Sequence, residues 1–410
     1  MSKLINQISY QNKHWNGNDR IIPKYERELL TRVWNDIDTK LMALITGPRR
    51  VGKSIVLKQI INKLIKGRHI SPKQILFYEF EPNQNVNDLW DIFYYFTQNV
   101  ADPRLPTYLF FDEIQYLENF ESTIKNIYDN QDQTKIFLTG SLSLSYKHRM
   151  HESLAGRFFS YTLYPLKFKE YLALFVPNDE HVYDEALKET DRFKKQYLVN
   201  ILNPHFRQFL EFGRFPELST LVSVQTKDYL QSILNQSLNQ DVFTYFGIQK
   251  PLLISSLFEY LRVNNGGIIS SNKISSLLGG SNQTVTEYLN ILEIMGLIYP
   301  VYNTTNSLIK LNSLKKIYVN SAFALLDTKY DQSTTVGFAV ESYILERLLE
   351  KGETVTFWRK REKEVDFILP KKNLGYEVKF RPNSSEVKQI VKNFDIELIS
   401  LNGKVPACLF

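Results

Sequence analysis

Residues 47–54 read Gly47-Pro48-Arg49-Arg50-Val51-Gly52-Lys53-Ser54, a full match to the pattern G-x-x-x-x-G-K-[ST]. The flanks decide what that match means. Residues 41–46 are a short apolar run of buried-strand type, and residues 55–65 have helical spacing with no Gly or Pro. Strand, glycine-rich turn and helix start together make a phosphate-binding loop. Gly47 and Gly52 let the backbone curl so that successive N–H groups face phosphate oxygens. Lys53 is the group that reaches the β- and γ-phosphates, and Ser54 the hydroxyl that meets Mg²⁺. The expected nucleotide-binding set is Gly47, Pro48, Arg49, Arg50, Val51, Gly52, Lys53, Ser54 and Ile55.

A second strand-like run, Tyr108-Leu109-Phe110-Phe111, ends in the carboxylates Asp112 and Glu113. Asp112 at the strand tip is expected to hold Mg²⁺, since a hard cation prefers oxygen ligands. Glu113 beside it is expected to orient and deprotonate the attacking water. A third run, residues 135–139, exits through Gly140 and Ser141. Where a strand lies between the loop strand and the acidic strand, a small polar residue there senses the γ-phosphate. Either Thr139 or Ser141 fills that role, unless this is an ordinary strand-to-turn exit.

A chain of 410 residues has room for two to four domains, and 43% hydrophobic with 23% charged residues is a globular composition. The lone Cys408 rules out a disulfide framework within the chain. No run approaches the length of a membrane span, and the first residues lack the apolar core of a signal peptide. A cytoplasmic protein without membrane contact is expected. The net charge of +6 permits nucleic-acid binding without demanding it, and the six His show no zinc-ligand spacing.

Along the chain the expected class is α/β. Strands at 41–46, 75–80, 108–112, 135–139 and 159–164 alternate with helical stretches, which predicts a parallel sheet covered by helices. Before it, Leu29, Leu30, Val33 and Trp34 give residues 25–34 one apolar side. Residues 1–165 form this core, and 166–245 read as a helical lid or linker. Residues 246–320 read as a winged helix-turn-helix. In its longest helix Ser281 is the N-cap, and Val285, Leu289 and Leu292 make the buried stripe. Residues 321–410 are a smaller α/β segment.

With these parts located, the chain resembles the prokaryotic and archaeal AAA+-type ATPases that end in a winged helix and a restriction-endonuclease-like domain. The resemblance rests on GPRRVGKS, LFFDEIQ, FLTGS, LAGRFFSYTLYPLKFKEYL, GRFPEL, TVTEYLNILEIMGLI and EVDFIL with YEVKF, over residues 41–380. It implies ATP and ADP as ligands, and it sets Arg157 near the γ-phosphate of its own chain or a neighbour's, with a structural ion pair as the alternative. Arg214, where the family usually has Gly, is either a second phosphate sensor or a surface charge.

In the terminal segment Asp366, Glu377 and Lys379 follow the form Asp-x10-Glu-x-Lys, with Glu341 on the preceding helix as a fourth group. Two carboxylates would bind Mg²⁺ and the lysine would help activate water, the arrangement of restriction-endonuclease-like nucleases. The bland reading is a solvated strand face. Arg359, Lys360, Arg361, Lys363, Lys371, Lys372, Lys379 and Arg381 outnumber Glu362, Glu364, Asp366 and Glu377, so the segment suits a phosphate backbone. The recognition helix offers Asn282, Gln283, Thr286, Glu287 and Asn290 but no Arg or Lys, leaving Lys310, Lys315 and Lys316 of the wing for phosphate. Two functions follow. One is a Mg²⁺-dependent ATPase acting on double-stranded DNA, with a nuclease-like terminal domain. The other is a nucleotide-driven regulatory or assembly switch, a homo-oligomer whose terminal domain only binds.

Overall fold

The computed structural model describes residues 2–17, 22–141, 144, 152–220, 223–248, 251–304, 315–326, 332–360, 363–379, 394–401 and 405–410. Lys310, Arg361, Glu362 and Arg381 lie outside them. The chain divides into two compact units, Met1–Tyr164 and Pro165–Phe410.

In the first unit, helices α1 (Ser2–Gln11) and α2 (Glu28–Asn35) precede the strands β1 (Met42–Thr46), β2 (Ile75–Glu79), β3 (Thr107–Asp112), β4 (Thr134–Gly140) and β5 (Phe158–Thr162). Between the strands run α3 (Lys53–Arg68), α4 (Val86–Asn99) and α5 (Phe120–Asn130). All five strands pair in parallel, in the order β2-β3-β4-β1-β5. Every residue of β1 and β4 is buried, which is why Met42–Ile45 and Ile136–Leu138 read as apolar runs rather than alternations. Each buried Leu, Ile or Phe contributes about 1.5–3 kcal/mol. The sheet order puts β4 between β1 and β3, so the loop after β1 and the acidic end of β3 flank the end of β4.

The edge strand β2 is covered by side chains. Asn12 Nδ2 donates to Phe77 O at 2.8 Å while its Oδ1 accepts Phe77 N at 2.7 Å. Gln11 makes the same pair of bonds with Glu79, and Trp15 Nε1 donates to Ile75 O. Residues 75, 77 and 79 all present backbone groups to the open edge, and the polar start of the chain occupies them as a partner strand otherwise would.

The second unit begins with α6 (Phe168–Phe175), α7 (Glu180–Lys188) and α8 (Arg192–Phe212). Phe168, Tyr171, Phe206, Phe209 and Tyr343 stack at its centre, with ring centroids 5.1–6.1 Å apart. Then come α9 (Ser223–Asn235), α10 (Val242–Phe246), α11 (Pro251–Val263), β6 (Ile268–Ile269), α12 (Ser271–Leu278) and α13 (Asn282–Ile294). Ser281 Oγ accepts Thr284 N at 3.0 Å, and Val285, Leu289 and Leu292 are buried. The ribbon β7 (Ile298–Asn303) and β8 (Lys315–Val319) follows, then α14 (Gln332–Glu350), β9 (Thr356–Lys360), β10 (Lys363–Leu369), β11 (Leu374–Val378), β12 (Asp395–Ser400) and β13 (Val405–Pro406).

The ribbon does not stand apart as a free wing. β7 pairs in parallel with β9 through Tyr302–Thr356 and Asn303–Phe357, which makes one eight-stranded sheet, β13-β12-β11-β10-β9-β7-β8-β6. This pairing brings β8 onto the same sheet as the terminal carboxylates.

Candidate nucleotide site and the terminal carboxylates

The loop between β1 and α3 is bent into a concave run of amides. Arg50 has φ 63° and Gly52 φ 100°, left-handed positions within a turn that leads into the α3 N-terminus. Gly47 is held against the chain leaving β5. A Cβ there would sit 2.3 Å from Leu163 O, a backbone atom that cannot yield. Lys53 is buried. Its Nζ donates to Gly47 O at 3.1 Å and Pro48 O at 3.0 Å, and lies 3.8 Å from Glu113 Oε1. The lysine thus rests on carbonyls of its own loop, with the Glu113 carboxylate beside it.

Asp112 is fully buried at the end of β3. Thr139 Oγ1 donates to its Oδ1, the Ser54 hydroxyl hydrogen-bonds it, and Oδ2 has no hydrogen-bond partner among the described residues. Burial first, and the Glu113 charge second, hold its carboxyl above the usual carboxylate range. A buried carboxylate with an open oxygen next to a Ser hydroxyl is a donor set that fits Mg²⁺. Glu113 takes φ 53°, a left-handed position that costs a non-Gly residue about 1–2 kcal/mol. Its N–H donates to Thr139 Oγ1 at 3.0 Å, and Gln115 Nε2 donates to its Oε2. A strained backbone position is thus secured by two neighbours.

Thr139 therefore sits between Asp112 and Glu113, fully buried, and orients them; Ser141 is only partly buried. Gln115 was not singled out from sequence, although it lies inside LFFDEIQ. The loop itself is tied by Arg27, whose guanidinium donates to Val51 O at 3.0 Å and Tyr164 O at 2.9 Å.

Two arginines that the sequence left between alternatives take definite places. Arg157 precedes β5, and its carbonyl accepts Met42 N, so it lies at the amino end of the sheet, opposite the phosphate loop. Its guanidinium pairs with Asp129 at 2.9 Å, the structural ion pair that was the alternative, and it does not meet a γ-phosphate of its own chain. Arg214 is not the surface charge that was one of its two readings. Within the second unit it is buried, donates to Leu166 O, and pairs with the buried Glu346.

In the terminal sheet, the register of Phe367 with Tyr376 continues to set Asp366 opposite Glu377. A register shift between Val365 and Ile368 falls on Asp366, and irregularities of this kind re-aim side chains. Asp366 Oδ2 accepts Val378 N at 3.0 Å, and Glu377 pairs with Lys379 at 2.9 Å. Glu341 is half-buried nearby; desolvation, and then Asp366, hold it well above the carboxylate range. Glu377 is raised for the same two reasons. Yet among the described residues no group of three or more His, Cys, Asp and Glu side chains is placed to hold a metal ion. Lys316, expected on the wing and facing phosphate, is buried among these carboxylates instead; Lys315 is half-buried. Asn282, Gln283, Thr286, Glu287 and Asn290 line one open hollow on α13.

The first unit is a P-loop α/β domain of the AAA type. Residues 39–172 match the family profile of an AAA domain, and residues 203–324 match a domain of unknown function. The chain is similar to uncharacterized proteins of Methanocaldococcus jannaschii, 27% identical over 90% of this chain and 83% of the relative, and of Haemophilus influenzae, 25% identical over 82% and 80%. Among solved structures, the Orc1 protein of Aeropyrum pernix in complex with DNA aligns with 80% of this chain and 95% of its own at 10% identity. Its TM-score of 0.34 is too slight a likeness to bear on function. Among the described residues, no helix is long and apolar enough to cross a membrane.

Proposed function

We propose that the chain is a Mg²⁺-dependent ATPase whose turnover is coupled to duplex DNA. The observation that carries the hydrolytic part is the convergence of four groups at the carboxyl ends of β1 and β3. These are Lys53, Ser54, the open Asp112 oxygen and the strained Glu113. Ser54 and Asp112 are the residues that would hold Mg²⁺, which when bound neutralises phosphate charge. The loop amides and Lys53 bind the phosphates, with Lys53 exchanging its loop carbonyls for phosphate oxygens. Glu113 takes a proton from water, oriented by Thr139 through the Glu113 backbone and by Gln115 through its carboxylate.

The DNA part rests on the charge of the terminal strands, where Arg359, Lys360, Lys363 and Lys371 are exposed, and on the polar outer face of α13. The decisive experiment is ATPase turnover measured with and without Mg²⁺ and duplex DNA. Lys53→Ala should abolish tight ATP binding, whereas Glu113→Gln should bind ATP and not hydrolyse it. Native turnover by Glu113→Gln removes the assigned base. Turnover and protein mobility both indifferent to saturating DNA remove the DNA coupling. The regulatory-switch reading instead predicts slow turnover and different assembly sizes with ADP and a non-hydrolysable ATP analogue.

A further inference from the structure

A restriction-endonuclease-like terminal domain implies a divalent cation between Asp366, Glu377 and Glu341, and the residues present do not fit one. The place is taken by the chain itself. Lys316 Nζ lies 3.2 Å from Asp366 Oδ1 and forms a second, closer ion pair with Glu364, whose other oxygen is 3.4 Å from Arg359. Lys316 comes from β8 and its carboxylate partners from β10, 48 and 50 residues further on, joined through the single sheet. Glu341 is close enough for its charge to act on Lys316.

The ammonium is enclosed rather than draped over the surface. Lys316 is 4% exposed and lies near the rings of Phe357 and Tyr318, at 5.5 and 6.0 Å from their centroids. The turn at Gly266 closes against two of its neighbours, since a Cβ at Gly266 would come within 3.2 Å of Glu341 Oε2 and 3.1 Å of Tyr318 Cε1. Tyr318 Oη is fully buried, feels the charge of Glu341, and has no well-formed hydrogen bond among the described residues. Taking an ammonium out of water is costly, and the carboxylates around Lys316 are what offset that cost.

We infer that Lys316 is a built-in cation that replaces the divalent ion of this site, so that the terminal domain binds no metal and leaves phosphodiester bonds intact. The inference rests on the restriction-endonuclease-like reading of these strands, but not on the ATPase reading. An ammonium carries one charge and three donors and cannot polarise a bound water as a divalent cation does. What remains is a charge-balanced scaffold beneath the exposed Arg359, Lys360 and Lys363.

The test uses the full chain without nucleotide and with Asp112→Asn, so that the loop site contributes no metal binding. Mn²⁺ is titrated and its free concentration followed by electron paramagnetic resonance. Lys316 intact should show the same Mn²⁺ uptake with Asp366 and with Asp366→Asn. Lys316→Met should melt roughly 6–20 °C lower in metal-free buffer, the cost of stranding buried carboxylates. It should also gain an Mn²⁺ site lost again in Lys316→Met/Asp366→Asn, and Mn²⁺ should restore at least half of the lost melting temperature. Asp366-dependent Mn²⁺ uptake by the chain with Lys316 intact overturns the inference. So does a Lys316→Met variant indifferent to Mn²⁺. If Lys316→Met does not fold, the comparison of Asp366 with Asp366→Asn decides alone.

Discussion

Replacing Thr139 by Val keeps the shape of a fully buried side chain and removes one hydroxyl. That hydroxyl makes two bonds at once, donating to Asp112 Oδ1 and accepting the Glu113 N–H at 3.0 Å. A hydrogen bond to an ionised group contributes about 1.5–3 kcal/mol, and stranding a buried N–H costs about 1–3 kcal/mol. The sum, roughly 2.5–6 kcal/mol, lies at or below the lower part of the usual stability of a domain, so the variant should fold and melt roughly 5–24 °C lower. Its effect on turnover should be larger than its effect on binding. Glu113 is held at φ 53° against its own preference, and without the Thr139 anchor its backbone is released. A displacement of about 1 Å in a reacting group costs on the order of 100-fold in rate. Lys53 and the loop amides are untouched, so ATP affinity should change little. Thr139→Ser restores the hydroxyl and should recover most of the rate. The assay pairs steady-state hydrolysis with calorimetric ATP binding. A folded Thr139→Val enzyme that hydrolyses at the native rate, or that loses ATP binding first, refutes the positioning role.

Three further outcomes are expected. Gly47→Ala should weaken ATP binding by at least tenfold, because a Cβ 2.3 Å from Leu163 O forces the loop or the chain after β5 to move; unchanged calorimetry disproves it. Asn12→Ala should cost about 2–4 kcal/mol by stranding the Phe77 N–H and C=O, and hydrogen exchange should show the Phe77 amide losing protection. Arg214→Met should cost about 3–5 kcal/mol near neutral pH by leaving the Glu346 carboxylate buried and unpaired, while Arg214→Met/Glu346→Met recovers most of it. Burial already raises the Glu346 carboxyl above its unfolded value, and Arg214 acts to lower it. The folded state therefore holds more protons, and stability falls as pH rises from the unfolded value through the folded one. Removing Arg214 widens that window, so the deficit should shrink on acidification. A deficit that grows instead would reverse the assignment.

Local sequence was enough for the first unit because its information is local. Five runs became five parallel strands within one or two residues, and the apolar stretches are longest where a strand is covered on both faces, as in β1. The Gly47–Ser54 loop and Asp112–Glu113 could be located because both lie at strand ends that the same runs define. What spacing could not carry was any relation between distant segments. Asn12 meets Phe77 across 65 residues, Arg214 meets Glu346 across 132, and Lys316 meets Asp366 across 50. Each of these polar groups reads alone as a surface residue, and its role exists only after burial forces a partner on it. Arg157 was left between two alternatives for a related reason. A motif gives an arginine's distance along the chain, whereas the parallel pairing of β5 with β1 decides which end of the sheet it occupies. The sequence by itself thus determined a phosphate loop, an acidic strand and the α/β class. The tertiary structure alone decided which charges gather at the phosphate loop and which neutralise one another in the interior, because only packing removes the water that would otherwise hold every charge apart.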